Sequence, residues 1–347
     1  MVDHPEKILV VRLSSLGDLV HTLPVVPAFR TGLPEARLHW FVDRRWAPLL
    51  ELVPGIDEVI SLDRTLSGHV TCVQRLRRAR YSCAVDFQGL WRSALLTRLS
   101  GAARRIGRDR KTARERGASL FYTECVAAAG RHIAEMHMSL AVYAGARPME
   151  MRFPLRIPDE LDVRVREKLR REGVGDYLVV SPGGGWQSKL WPAERFGGLC
   201  AEVSRRLGLR CLVNVAPKRE SLGQRVVRAA EPSIPLVISL PIPELAALLA
   251  RAAVVVAGDT GPLHLAAALG APVVALFGDT DPARNGPLPR GTVVQNAPCE
   301  LREYERGLYE RGRAYAPQML SITVEQVLAA VESELRSPRP PTAADGR

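Results

Sequence analysis

The chain has 347 residues, of which 46% are hydrophobic and 24% are charged, and its formal net charge at pH 7 is +11. This length suits two ordinary domains, and this composition excludes the disordered and fibrous classes. The N-terminus lacks secretory-signal features, no apolar run approaches the ~18 residues of a membrane span, and six scattered cysteines show no C-x-x-C pair, so we expect a cytoplasmic protein with reduced thiols.

The first half alternates short apolar strands with helical patterns. Strands are predicted at residues 7–13, 38–42, 58–62 and 83–86. Helices are predicted near Pro24 and Pro27, at 46–53, around Val70 to Leu76 and at 90–99. Because strands and helices alternate, this half indicates a parallel, doubly wound sheet.

The second half repeats this rhythm after a lapse from Ala146 to Pro158, which we predict to be a linker. Strands are predicted at 177–181, 209–215, 236–239, 254–256 and 272–277, and helices after Pro192, from about Glu220, at 244–252 and at 324–335. The predicted fold class is α/β, with one domain over 1–155, a second over 156–336, and a disordered tail over 337–347. Two such domains joined by one linker imply a cleft between them.

A dense run of basic residues lies between two of these elements. It consists of Arg104, Arg105, Arg108, Arg110, Lys111, Arg114 and Arg116, offset only by Asp109 and Glu115. A solvated loop and helix face is the ordinary interpretation, whereas an anion-binding patch would suit the net positive charge. Nucleic acid, an anionic membrane face and phosphorylated substrates are all compatible with that charge.

The most informative segment is the turn from Val256 to His264. A β-branched apolar run ends there, Gly258 and Gly261 permit close backbone approach, and Pro262 suits the first helical position. With Thr260 as a plausible cap, the free N–H groups of the helix would form an anion site bracketed by Asp259 and His264. The alternative is an ordinary strand–turn–helix joint with a satisfied core histidine.

Two further turns carry polar residues. The turn after the first strand lacks the G-x-G-x-x-G fingerprint and places Asp18 at a helix start, where a carboxylate is either a cap or a proton acceptor. The Gly183–Gly185 run with Lys189 suggests a phosphate cradle but lacks the Walker pattern, so that a surface lysine remains the alternative.

Together these turns resemble a known family. The segments 14–24, 188–192, 259–264 and 277–282 resemble, in order and spacing, glycosyltransferase family 9, the bacterial lipopolysaccharide heptosyltransferases, over about residues 7 to 335. Within that family, segments 86–90 with 93–94 and 112–115 with 118–122 resemble heptosyltransferase I, which adds the first heptose to the inner-core Kdo sugar.

The resemblance implies a fold and a set of site residues. It implies a GT-B fold of two Rossmann-like domains facing a cleft, inversion at the anomeric carbon, and Asp18 as the general base. It implies ADP-heptose as the donor, bound in the C-terminal domain by Lys189, Glu220, Leu240, Asp259, Thr260, Gly261 and His264. The acceptor, Kdo-bearing lipid A, would meet Ser14, Gly17 and Arg114 of the N-terminal domain.

The chemistry expected from these residues needs no metal or other cofactor. Asp18 would take the proton of the incoming hydroxyl, while Lys189 and the helix start at Thr260 would stabilise the departing pyrophosphate. Because the acceptor implied by the resemblance is a lipid, we expect peripheral contact with the anionic cytoplasmic face of the inner membrane. We expect no nucleic-acid partner. Another family 9 transferase, acting on the second heptose or on a different glycan, is the nearest alternative; a basic nucleic-acid-binding protein and a nicotinamide-dependent dehydrogenase are more distant ones.

Overall fold

A computed structural model describes residues 7–63, 65–296 and 315–337 of the chain. Within that range, residues 7–154 form the N-terminal unit, and residues 155–296 with 315–337 form the C-terminal unit. The predicted disordered tail lies outside the described residues except for Ser337.

The N-terminal unit is built on a six-stranded sheet with the order β3-β2-β1-β4-β5-β6. All neighbouring strands are parallel. The strands are β1 (Lys7–Val11), β2 (Arg37–Asp43), β3 (Glu58–Leu62), β4 (Cys83–Asp86), β5 (Arg104–Arg108) and β6 (Glu124–Val126). The described helices of this unit are α1 (Leu16–Val20), α2 (Val25–Gly32), α3 (Ala47–Leu50), α4 (Leu66–Ala79), α5 (Trp91–Leu99) and α6 (Ile133–Tyr143).

The C-terminal unit repeats that arrangement in a second parallel sheet, with the order β12-β11-β10-β7-β8-β9. Its strands are β7 (Tyr177–Ser181), β8 (Arg210–Asn214), β9 (Leu236–Ile238), β10 (Val254–Gly258), β11 (Val273–Leu276) and β12 (Thr292–Val294). The described helices are α7 (Asp159–Arg171), α8 (Ala193–Leu207), α9 (Glu220–Ala229), α10 (Ile242–Arg251), α11 (Gly261–Ala268), α12 (Pro282–Asn285), α13 (Pro317–Ser321) and α14 (Val324–Arg336).

Both sheets share one topology. In each, the first strand of the unit pairs with the second on one side and with the fourth on the other, so the chain direction across the sheet reverses there. Ligands of open α/β sheets bind beyond the carboxyl ends of the strands at this switch point. The candidate positions are therefore the loops after β1 and β4 and the loops after β7 and β10.

The central strands of both sheets are buried on both faces, as parallel strands covered by helices must be. All residues of β10 and β11 are buried, and so are the last four of β1. Each fully buried Val, Ile or Leu contributes about 1.5–3 kcal/mol to folding, which explains why these short apolar runs were recognisable in the sequence. The cores lie between these strands and the flanking helices.

Several elements differ from the sequence prediction. The sequence predicts a loop and helix face, or an anion-binding patch, for the basic run, but its start is strand β5, in which Ile106 and Gly107 are buried. Helix α7 was missed because it is mostly charged, although its buried Leu161, Val165 and Leu169 follow the i, i+4 spacing. Strands β6 and β12 and helix α6 were also not predicted.

The stretch 146–158, predicted to be a linker, contains no helix or strand. Helix α7 begins directly after it, with Pro158 at the N-cap and three acidic residues in the first turn, where the helix dipole favours negative charge. None of the helices in the described residues is both long and apolar enough to span a bilayer.

Candidate functional site

Three of the predicted donor-binding residues meet beyond the carboxyl ends of β7 and β10. The ammonium of Lys189 lies 2.6 Å from Oδ2 of Asp259, and Nε2 of His264 lies 3.0 Å from Oδ1 of the same carboxylate. Asp259 and His264 are buried and Lys189 nearly so. The surface-lysine interpretation of Lys189 is therefore wrong.

The electrostatics of this cluster favour a permanent carboxylate. Burial by itself would raise the pKa of Asp259, but the charge of Lys189 and the hydrogen bond with His264 outweigh it, and the pKa lies well below its usual range. The ionised carboxylate accepts a hydrogen bond from the Lys189 ammonium and so fixes its direction. Such a fixed cation suits a negatively charged ligand.

Two packing features hold Lys189 in place. Trp191 is buried, stacks edge-on against Phe196 with ring centroids 4.9 Å apart, and donates from Nε1 to the Ile322 carbonyl at 3.0 Å. On the other side, a Cβ added at Gly258 would come within 2.7 Å of the Lys189 carbonyl oxygen. The close backbone approach predicted for Gly258 is thus made to the loop that carries the lysine.

The helix start beside this cluster departs from the sequence prediction in one respect. Helix α11 begins at Gly261, with Thr260 at the N-cap and Pro262 at the second helical position rather than the first. The Thr260 side chain does not cap the helix; its buried hydroxyl has no hydrogen-bond partner within the described part of the chain. A buried hydroxyl without a partner, directly after Asp259 in the chain, calls for an explanation, and a bound ligand that reaches it would supply one.

Glu220 and Leu240 follow the carboxyl ends of the next two strands of the sheet. Glu220 is the exposed first residue of α9, and its Oε1 accepts from the Lys218 N–H at 3.1 Å. Leu240 is half-buried between β9 and α10. Because β10, β7, β8 and β9 are consecutive in the sheet, all predicted donor-binding residues lie along one edge of it.

The N-terminal unit places Asp18 at the equivalent switch point, after β1. Oδ1 of Asp18 forms an ion pair with Nη2 of Arg12 at 2.5 Å, and Oδ2 lies 3.9 Å from Nη1 of Arg114. The same oxygen accepts from the N–H and the hydroxyl of Ser15, at 3.1 and 3.0 Å. Asp18 is therefore both a cap of α1 and a carboxylate at the sheet edge, and its side chain is 26% exposed.

The charges around Asp18 keep it ionised. Burial would raise its pKa, but Arg12, Arg114 and the two hydrogen bonds from Ser15 hold the pKa far below the usual range. Asp18 can thus accept a proton at any pH near neutrality. A base of low pKa transfers protons efficiently only when the hydroxyl has become acidic, that is, late in bond formation.

The loop after β4 supports the loop that presents Asp18. Oε1 of the buried Gln88 accepts from the Leu13 N–H at 2.8 Å, and the Phe87 carbonyl accepts from Nη1 of Arg12 at 2.5 Å. Asp86 in turn fixes this loop, since it accepts from the Gln88 and Gly89 N–H groups at 2.8 and 3.2 Å.

Asp86 also ties this loop to the segment after β5. Its Oδ2 accepts from the Tyr122 hydroxyl at 2.8 Å, and the Glu115 carboxylate accepts from the Trp91 N–H at 2.6 Å. Burial raises the pKa of both Asp86 and Tyr122. The sequence does not predict these supporting roles, although Asp86 and Gln88 lie in a motif that begins at the last residue of a predicted strand.

The predicted acceptor residues differ in position and burial. Ser14 is half-buried in the loop after β1, Gly17 is buried inside α1, and Arg114 approaches Asp18 from the segment after β5. The seven basic residues do not form one patch. Arg104 forms a two-bond ion pair with Glu124, Arg105 donates to the Ala102 and Phe121 carbonyls, and Arg108 is buried.

Over the described residues, no three His, Cys, Asp or Glu side chains lie close enough together to hold a metal ion. The expectation of a metal-free reaction stays a prediction. What the two sites offer chemically is an ionised carboxylate beside two arginines in the N-terminal unit, and a fixed ammonium beside a helix start in the C-terminal unit. These groups suit proton transfer and stabilisation of an anionic leaving group, respectively.

Comparison with known proteins decides which chemistry this is. The sequence profile described as glycosyltransferase family 9 (heptosyltransferase) matches residues 70–305. Lipopolysaccharide heptosyltransferase 1 of Pseudomonas aeruginosa is 31% identical over 96% of this chain and 99% of its own length. The chain belongs to glycosyltransferase family 9. The predicted family and enzyme class are confirmed, and the dehydrogenase and nucleic-acid-binding alternatives give way to a heptosyl-transferring enzyme.

Solved structures of family 9 agree on the fold. A family 9 glycosyltransferase of Veillonella parvula superposes with a TM-score of 0.83 at 24% identity, over 95% of this chain and 97% of that one. Escherichia coli heptosyltransferase WaaC with ADP gives 0.71 at 26% identity, over 94% and 97%, and with ADP-2-deoxy-2-fluoro heptose 0.73 at 24%, over 94% and 99%. The predicted α/β, GT-B fold class is confirmed.

Proposed function

We propose that the protein transfers heptose from ADP-heptose to the Kdo sugar of the lipopolysaccharide inner core, with inversion at the anomeric carbon. The observation that carries this proposal is the Lys189–Asp259–His264 cluster at the start of α11. It gives a phosphate-bearing donor a fixed cation in a family 9 chain. The 31% identical relative is a lipopolysaccharide heptosyltransferase 1, and the Escherichia coli relative has been solved with ADP.

The donor pyrophosphate would bind between Lys189 and the start of α11. Lys189 supplies a positive charge that Asp259 orients, and the helix start supplies backbone N–H groups and the positive end of the helix dipole. The Thr260 hydroxyl, which has no partner among the described residues, would donate to a phosphate oxygen. Glu220 and Leu240, further along the same sheet edge, would contact the nucleoside.

The acceptor would bind to the N-terminal unit beside Asp18. Arg114 lies within 3.9 Å of that carboxylate and would attract the carboxylate and phosphate groups of a Kdo-bearing acceptor. Gly17 precedes Asp18 in the short helix α1, and Ser14 lies in the loop before that helix. Charge complementarity therefore favours an acidic acceptor over a neutral glycan.

In the proposed reaction the acceptor oxygen attacks the anomeric carbon as the bond from that carbon to the β-phosphate oxygen breaks. The sugar passes through an oxocarbenium-like transition state. Asp18 takes the proton of the acceptor hydroxyl, and the electron pair of the broken bond leaves with ADP, whose added negative charge Lys189 and the α11 start stabilise. Attack on the face opposite the leaving group inverts the configuration.

The acceptor is a membrane lipid, so we propose that the enzyme works on the cytoplasmic face of the inner membrane and touches it peripherally. The proposed steps need no resident cofactor, because acid–base and electrostatic groups of the chain supply each role.

The test is a comparison of donors and acceptors. Purified protein is incubated with ADP-heptose, UDP-sugars or GDP-sugars, and with Kdo-bearing lipid A either bare or already carrying one heptose. We expect turnover with ADP-heptose and the bare acceptor. Turnover only on the heptose-bearing acceptor would move the assignment to transfer of the second heptose, and turnover only with another nucleotide sugar would refute the donor.

A further inference from the structure

An exposed apolar surface lies on the N-terminal unit, at helix α5 and the 3-10 helix Arg116–Phe121. Leu120 is 75% exposed, Trp91 48% and Leu95 43%. Trp91 and Leu95 are four residues apart and so lie on the same face of α5. We call Trp91, Leu95 and Leu120 the apolar patch.

The two helices that carry the patch are packed together. The Trp91 ring lies edge-on to Phe121, with centroids 5.5 Å apart. It also covers Gly117 so closely that a Cβ there would come within 1.9 Å of a ring atom. The half-exposed indole is thus held rigidly, and its free side extends the exposed surface between the two helices.

The charges around the apolar patch are all positive on these two helices. Arg92 and Arg98 of α5 and Arg116 of the 3-10 helix are exposed, and neither helix contains an acidic residue. The neighbouring Glu115 is engaged by the Trp91 N–H. Exposed aromatic and aliphatic groups on helices that also expose arginines match a bilayer with anionic headgroups, where the apolar groups enter the interface and the cations meet phosphates.

The segments that carry the patch are linked to the proposed acceptor site. Arg114, two residues before the 3-10 helix, approaches Asp18, and the loop before α5 supports the Asp18 loop. A lipid acceptor must offer its sugar to Asp18 while its acyl chains stay in the membrane. A membrane-contacting surface therefore belongs beside this loop.

We propose that Trp91, Leu95 and Leu120, with Arg92, Arg98 and Arg116, form the surface by which this enzyme docks on an anionic lipid bilayer. The proposal rests on the proposed function, which makes the acceptor a membrane lipid, and adds the residues that bring the enzyme to it. A second copy of the chain or a protein partner would be the competing occupants.

Vesicle binding tests the proposal directly. The full chain is sedimented with vesicles of phosphatidylethanolamine and phosphatidylglycerol, and with vesicles of phosphatidylcholine alone. The patch variant is Leu95→Glu with Leu120→Glu. Its matched control is Val163→Glu with Ile234→Glu, because these C-terminal aliphatic residues are 42% and 71% exposed and the charge change is the same.

We expect the wild type and the control to bind the anionic vesicles, and the patch variant to bind about tenfold or more weakly. Equal binding by the patch variant and the control would overturn the proposal. Loss of a wild-type dimer in light scattering, with vesicle binding unchanged, would assign the patch to self-association and overturn it as well.

Two further measurements keep the test independent of folding and of the proposed function. If circular dichroism shows that the double variant is misfolded, the single variant Leu120→Ser replaces it and should bind the anionic vesicles more weakly than the wild type. In addition, brominated lipid should quench the fluorescence of Trp91, measured as the difference between the wild type and Trp91→Phe. Absence of that quenching would overturn the proposal. Transfer is then measured with lipid-embedded and with deacylated, water-soluble acceptor. The patch variant should lose the first activity and keep the second, whereas a wild type that docks but transfers to neither acceptor would refute only the proposed function.

Discussion

The two units have the same strand order, yet the carboxylates at their switch points differ in partners and exposure. Asp259 binds Lys189 and His264 with its two oxygens, and its side chain is only 7% exposed. Asp18 also has both oxygens engaged, by two arginines and Ser15, but its side chain is 26% exposed. Both pKa values are lowered, for the same reason of adjacent positive charge.

Ionisation alone therefore does not define a base. The buried Asp259 is suited to orienting the cation beside it, whereas Asp18 can be reached from solvent and so by a hydroxyl. Equal topology thus supplies the position of a carboxylate, while exposure and partners decide its role. Substitutions at and around the two carboxylates should therefore affect turnover and donor affinity differently.

The substitution Asp18→Asn should lower kcat by about 10²- to 10⁴-fold, because it removes the base and keeps a similar shape. ADP affinity, measured by calorimetry, should remain unchanged since the donor groups lie in the C-terminal unit. Asp259→Asn provides the contrast, with its main effect on ADP affinity. If Asp18→Asn turns over normally, the base lies elsewhere.

The substitution Lys189→Ala should weaken ADP binding by about 10- to 100-fold, the usual loss for a hydrogen bond to a charged group. It also leaves the Asp259 carboxylate without its cation, so thermal unfolding must be recorded alongside. Lys189→Arg, which keeps the charge, should recover part of the affinity. Unchanged ADP affinity in a folded Lys189→Ala protein would contradict the donor role.

The substitution Gln88→Ala should lower kcat while leaving ADP affinity intact. The Leu13 N–H would lose its buried acceptor, at a cost of about 1–3 kcal/mol, and the loop that presents Asp18 would loosen. Gln88→Glu keeps an acceptor oxygen and should retain more activity. A drop in the melting temperature with normal kcat would mean that Gln88 serves stability only.

The smallest effect concerns the acidic limb of the kcat/KM profile. The pKa of Asp18 is held below its ordinary value, so Asp18 stays ionised and active as the pH falls. Activity should be lost only when the pH drops through that lowered pKa. Arg114→Gln removes one neighbouring charge, so the pKa should rise and the limb should move to higher pH. The shift should be modest, since the Arg114 contact is 3.9 Å and Arg12 remains. A limb that moves to lower pH would contradict this assignment.

Much of the fold could be predicted because its strands are nearly pure apolar runs. Strands β1, β7, β10 and β11 are buried on both faces, and burial of that kind leaves a mark in the sequence. Strand β5 leaves no such mark, since only one of its residues is a large apolar one. Helix α7 was hidden by its many charges, because a helix with a narrow buried stripe is mostly solvated.

The α/β rhythm, the family, and the turns that carry Asp18, Lys189 and Asp259 can be recognised in the sequence, because these depend on local pattern and order along the chain. Which side chains meet depends on the tertiary structure. Lys189 and Asp259 are 70 positions apart in the sequence and are brought together by parallel pairing of β7 with β10. Gln88 reaches Leu13 in the same way through the pairing of β1 with β4. Such contacts depend on strand pairing between distant segments, which no local pattern specifies.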